Sequence, residues 1–238
     1  MFLKNSIDKW DYLALDLINI KDDLNNQTEI YNFMSSIAMI LDEEELYKPV
    51  LIPYYHGRNK NDCGISCYSF FNNWGGYATF HIFEKRKIAY FDIVSSKKIK
   101  REVVEKVKEF CQTKACNIYL KDQRGSQETG NIFGPHFFAI GKADKKLTTD
   151  DLLDFQTKII NGIKMNPIIN PVVVNTKKSK TIFVAIAESH IALTQKGNGL
   201  MIDVFSCKNF DLNKLKKVVG KYMNIKEELL FQRHFKEL

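Results

Sequence analysis

Glu188-Ser189-His190 interrupts an apolar stretch, and Cys207 closes the apolar stretch that follows. A hydroxyl beside an imidazole is the raw material of nucleophilic catalysis, and a thiol is suited to proton transfer. A Ser/His/Asp hydrolase is disfavoured, because neighbours on a strand face opposite sides and no Gly-x-Ser-x-Gly elbow surrounds Ser189. The plain alternatives are a serine that begins a turn and a cysteine buried in a core. By itself the stretch leaves both open.

Such groups work only if strands hold them. Alternation predicts strands over 11–20, 49–55, 64–71, 76–83, 87–94 and 117–120, and helical spacing predicts helices over 28–41 and 100–111. After a polar stretch the pattern restarts: a strand over 136–141, and a helix from Leu152 behind the cap signal Thr148-Thr149-Asp150-Asp151. Strands over 167–175, 181–187, 190–194 and 200–205, a helix over 212–223 and a strand over 228–235 complete it.

Both halves read strand, helix, four strands, helix, strand. YFDIVSSKK at 90–98 matches MIDVFSCKN at 201–209, an offset of 111 (201 against 90). The expected fold class is α+β, with duplicated antiparallel-sheet units forming a four-layer α/β/β/α sandwich. The first repeat, 1–122, is degenerate. Residues 123–134 are the linker, and 135–238 form the second repeat with the reactive serine.

Glu188-Ser189-His190, the loop with Gly197 and Gly199, and Asp203-Val204-Phe205-Ser206-Cys207 resemble the S-adenosylmethionine decarboxylase family. The resemblance covers the second half throughout and the first half more weakly. It implies a covalent pyruvoyl cofactor derived from Ser189. The Ser189 hydroxyl attacks the Glu188 carbonyl, the resulting ester eliminates, and the chain splits into residues 1–188 and 189–238. The new ketone then forms a Schiff base with the substrate amine and takes up electrons as CO2 leaves. By the same resemblance Cys207 is the proton donor.

One-unit members of that family carry a further histidine where this chain has Leu193-Thr194-Gln195, and their upstream hydroxyl is retained only as Thr181. CGISCYSFFNNWGGYATFHIFE at 63–84 resembles the processing segment of the two-unit members, with Ser66 at their serine and His81 at their histidine. The fixed offset of 111 sets Ala78 against Ser189 and Ser96 against Cys207. GPHFFAIGK at 134–142 offers Phe138 as an adenine-stacking ring. Glu84 is offered as a ribose-binding carboxylate, one residue out of place, and Lys60 stands near the second aromatic position.

The net charge of +7 is spread over short lysine clusters that fit solvated faces, so no nucleic-acid partner is expected. Five cysteines do not complete a disulfide framework, and the spacings of Cys63/Cys67 and Cys111/Cys116 lack nearby histidines for zinc, so no metal is expected. No apolar run approaches a membrane span, and no secretory leader is recognised, so the expectation is cytoplasmic. The expected partner is a small molecule: S-adenosylmethionine, for spermidine synthesis, or another amino acid such as arginine or ornithine. A monomeric pseudo-dimer is expected. The competing expectation is an unprocessed relative that binds a ligand or a partner decarboxylase.

Overall fold

The computed structural model describes residues 10–54, 64–72, 75–120, 135–187, 189–206 and 209–232. Contacts divide the chain into two compact units, one over Lys9–Gln123 and one carrying Arg124–Leu238. The polar stretch at 123–134 lies outside the described residues.

The first unit runs β1 (Asp11–Ile18), α1 (Gln27–Ile40), β2 (Glu45–Tyr54), β3 (Gly64–Phe71), β4 (Tyr77–Phe83), β5 (Ile88–Ser95), α2 (Arg101–Cys111) and β6 (Ala115–Leu120). The second runs β7 (Pro135–Lys142), α3 (Thr149–Ile163), β8 (Val172–Asn175), β9 (Lys180–Ile186), β10 (Ser189–Lys196), β11 (Gly199–Ser206), α4 (Leu212–Val219) and β12 (Asn224–Gln232). The sheet orders, β2-β3-β4-β5-β1-β6 and β8-β9-β10-β11-β7-β12, are the same topology twice. Every strand pair is antiparallel. Each unit is an α+β sandwich of one six-stranded sheet and two helices, and the chain is the duplicated antiparallel-sheet protein expected.

Alternation decides which side chains meet the helices. In the first unit Leu13, Leu15, Leu17, Phe80, Phe91 and Ile93 join Ile30, Met34, Val103 and Val107 in one apolar core. In the second, Phe137, Ala139, Ile182, Val184, Ile191, Leu193, Ile202 and Val204 pack on Leu152, Phe155 and Ile159. The intervening residues of the central strands, Tyr68, His81 and Asp92 in one unit and His136, His190 and Asp203 in the other, are also buried. Polar groups among them must therefore find partners within the protein.

The helix starts are built as the sequence indicates. Thr148 and Asp151 form a reciprocal capping box, and Asn26 and Asp211 accept from backbone amides of α1 and α4. Helix α4 is shorter than expected because Gly220 caps it. The strand expected over 167–175 is reduced to β8 plus an isolated bridge at Pro167, since neither Pro167 nor Pro171 has an amide to donate. Edge strand β2 starts earlier, at Glu45, and shifts register twice around Tyr47. Among the described residues no helix is long and apolar enough to cross a membrane.

Candidate active site

Ser189 is the first residue of β10, pairing with Ile186 of β9 and Ser206 of β11. It is 3% exposed. Ile191 and Leu193 point into the helix-side core, so His190, Ala192 and Thr194 take the opposite face. The Ser189 backbone has φ 156°, just short of the extended range. Its Oγ lies 3.2 Å from His190 Nδ1, so these two neighbours touch although their strand positions alternate. Strand alternation, the argument against a hydrolase triad, does not keep the two side chains apart at this strand end.

Behind His190 stands a charge that the sequence reading missed. Asp203, in the middle of β11, lies between the strands carrying His190 and His136. It pairs in register with Ala192 and Phe138, two pairs along from the His190–Phe205 and His136–Phe205 pairs. Asp203 Oδ2 is 3.3 Å from His190 Nε2, and Oδ1 is 2.6 Å from His136 Nε2. Burial alone would raise the Asp203 carboxyl, but the two imidazoles outweigh it by charge and hydrogen bonding, holding it below the usual carboxylate range.

An ionised carboxylate only accepts hydrogen bonds. In the neutral His190 imidazole the hydrogen therefore sits on Nε2, facing Asp203, and Nδ1 carries the lone pair facing the Ser189 hydroxyl. Aromatic rings fix the imidazoles. Phe183 stacks on His190 at 5.6 Å and 14°, and Phe205 stacks on His136 at 4.9 Å and 19°.

The first unit holds the same carboxylate position with different partners. Asp92, the match of Asp203, receives the Tyr12 hydroxyl at 3.4 Å and the Thr79 hydroxyl at 3.3 Å. The register also corrects the fixed offset. His81 pairs with Tyr90 and Thr194 with Met201, and Tyr90 and Met201 open the repeated segment. The β4–β5 turn has four residues between Phe83 and Ile88, and the β10–β11 turn only Gly197 and Asn198. Gly76, one step beyond the Tyr77–Val94 pair, thus stands where Ser189 does; Ala78 does not.

Ser66 and His81 do meet. Ser66 Oγ is 2.7 Å from His81 Nδ1 across β3 and β4, both buried, with Tyr68 edge-on to the imidazole at 5.6 Å. The matching pair in the second unit is Thr181–Thr194, whose hydroxyls are 2.9 Å apart.

Phe138 lies beside Asp203 on the face carrying the imidazoles and is buried. Glu84 sits instead on the turn after β4, accepting from Asn25 Nδ2 at 3.0 Å. It lines a cavity of about 250 Å3 with Leu24, Pro53 and Ile65. Glu188, Cys207, Cys63 and Lys60 lie outside the described residues. Among the described residues no group of three or more His, Cys, Asp or Glu side chains is placed to hold a metal. Burial pushes the Cys67 and Cys111 thiols up to about 12, making them inert core groups.

The missed residues had a signal. Asp92 and Asp203 are the one charge inside the apolar part of both copies of the repeated segment, and His136 stands in the strand that must flank it.

No protein-family model matches the chain, and no curated protein matches it. Solved structures do. An adenosylmethionine decarboxylase from Aquifex aeolicus VF5 aligns at 10% identity and TM-score 0.39, over 51% of this chain and 96% of its own. A protein described as unknown from Galdieria sulphuraria aligns at 8% identity and TM-score 0.21, over 94% of this chain and 98% of its own.

Proposed function

We propose that the protein cleaves itself between Glu188 and Ser189 and acts as a pyruvoyl-dependent decarboxylase on S-adenosylmethionine, in the service of spermidine synthesis. The observation that carries this reading is the Ser189 hydroxyl, buried at the start of β10 with an imidazole nitrogen 3.2 Å away. A serine so buried is poorly exposed to an external acyl substrate. The carbonyl bonded to its own nitrogen is always at hand.

The chain's residues fit the making of the group. Attack of Ser189 Oγ on the Glu188 carbonyl carbon breaks the amide C–N bond and leaves an ester and a free amine. Loss of the Ser189 Cα proton and cleavage of the Cβ–O bond releases the Glu188 carboxylate. The enamine left behind takes up water and loses ammonia, giving a ketone at the new N-terminus. When present, that ketone supplies the electron sink for loss of CO2. By resemblance, Ser66 and His81 assist the elimination, Cys207 returns a proton to the substrate carbon, and Phe138 stacks on the base.

Release of labelled CO2 tests the substrate. Turnover of carboxyl-labelled S-adenosylmethionine, lost in Ser189→Ala, supports the reading, and turnover of arginine or ornithine alone replaces the substrate. One observation favours a second reading, an unprocessed binding relative: Thr181 and Thr194 hold the place where the first unit has Ser66 and His81. That reading predicts a Ser189→Ala protein indistinguishable from the wild type.

A further inference from the structure

We infer that His190, the chain neighbour of the reacting serine, is the general base of the acyl shift, and that Asp203 and His136 are its positioning residues. This rests on the self-processing reading above. Three observations lead to it. The first is the Ser189 Oγ–His190 Nδ1 distance of 3.2 Å, with Ser189 and His190 both shut away from solvent. A buried hydroxyl losing its proton needs an acceptor inside the protein, and Nδ1 is within hydrogen-bond reach.

The second is the tautomer. Asp203 faces Nε2 at 3.3 Å and is itself gripped by His136 at 2.6 Å, so in the neutral ring Nδ1 is the nitrogen left to receive a proton. Phe183 stacked at 14° keeps the imidazole from swinging out. The third is the contrast between the units. Asp92 keeps the carboxylate, but its partners are the Tyr12 and Thr79 hydroxyls, and Gly76 stands at the serine position. The imidazole pair accompanies the serine, whereas the carboxylate alone does not.

The step balances within the chain. As Ser189 Oγ bonds to the Glu188 carbonyl carbon, its proton passes to His190 Nδ1. The ionised Asp203 stabilises the imidazolium that forms. When the C–N bond breaks, the same proton goes to the departing Ser189 nitrogen, and the imidazole returns to its starting state. No external acid, base or oxidant is consumed.

The test uses full-length chain made by cell-free synthesis and followed by mass from the moment of synthesis. His190→Gln keeps a hydrogen-bonding side chain but no basic nitrogen. It is expected to slow cleavage at least about 100-fold, the size of a lost general base. Hydroxylamine separates the steps, because it cuts an accumulated ester at Glu188 and leaves an amide intact. The His190→Gln chain is expected to stay intact in hydroxylamine, its block lying before the ester. Asp203→Asn is the second variant, expected to slow cleavage with His190 in place. The double variant is expected to be no slower than His190→Gln alone, a non-additivity that merely structural damage would not produce. Cleavage of folded His190→Gln or Asp203→Asn at the wild-type rate overturns the inference, as does an ester trapped in His190→Gln. A wild-type chain that never splits defeats self-processing itself rather than the choice of base.

Discussion

Ser66 and His81 lie 2.7 Å apart across β3 and β4, at the strand positions that Thr181 and Thr194 occupy across β9 and β10. One copy of the repeat thus keeps a hydroxyl–imidazole pair where the other keeps two hydroxyls. The second unit retains Ser189 and the His190–Asp203–His136 chain, and the first retains Ser66 and His81.

If His81 serves the elimination, His81→Ala stalls after the ester has formed. The expected result is an intact chain that hydroxylamine cuts after Glu188, the opposite of the His190→Gln result. Adding Thr181→Ser and Thr194→His to that background recreates the pair on the second sheet and is expected to restore part of the lost rate. A His81→Ala chain that splits normally shows that His81 takes no part in the elimination.

Gly76, at the position matching Ser189, has no room for a side chain. A Cβ there would lie 2.7 Å from the Val94 carbonyl oxygen and 3.1 Å from the Phe71 ring. Both contacts belong to the packed sheet. Gly76→Ser is expected to cost about 1–3 kcal/mol from overpacking. It should lower the melting temperature without producing a new cleavage near residue 76, as thermal denaturation and intact mass would report.

Asp203 is also a fold residue, fully buried and held by His136 and His190. Removing one member of a buried, hydrogen-bonded set of this kind costs about 3–5 kcal/mol, so Asp203→Ala is expected to melt far below the wild type. The pH dependence has a definite sign. The folded carboxyl is held below the unfolded value, so its stabilisation is present above about pH 4 and is lost as pH falls through the folded value. Acid denaturation below that point should be steeper in the wild type than in Asp203→Asn.

The thiols separate by burial. Cys67 and Cys111, pushed up to about 12, are expected to resist iodoacetamide at pH 8 in the folded protein, whereas the half-buried Cys116 reacts. Peptide mapping after alkylation checks this. Cys207→Ala is expected to abolish decarboxylation while leaving chain cleavage in place, because the proposed proton transfer follows the formation of the ketone.

Much of this architecture was legible in the sequence, because alternation and cap residues are local signals. Thr148 and Asp151 announced α3, and the 90–98 and 201–209 segments announced the duplication. Legibility failed where a turn changed length. The four-residue β4–β5 turn against Gly197-Asn198 shifts the preceding strand by two places, so a constant offset picked Ala78 instead of Gly76. It failed again at Asp203 and His136, which become neighbours only when β11 is laid between β7 and β10. Edge strands were also misjudged, since prolines and bulges in β2 and before β8 answer to pairing rather than to hydrophobic pattern.

The Glu188–Ser189 bond decides between self-processing and an intact chain, and intact-mass analysis of the purified 238-residue protein reads it directly. Self-processing yields two pieces, residues 1–188 and a chain starting at position 189 whose N-terminus carries a ketone and resists Edman degradation. Ser189→Ala is predicted to remain whole. A single wild-type species at 27.6 kDa, unchanged on prolonged incubation, would contradict it.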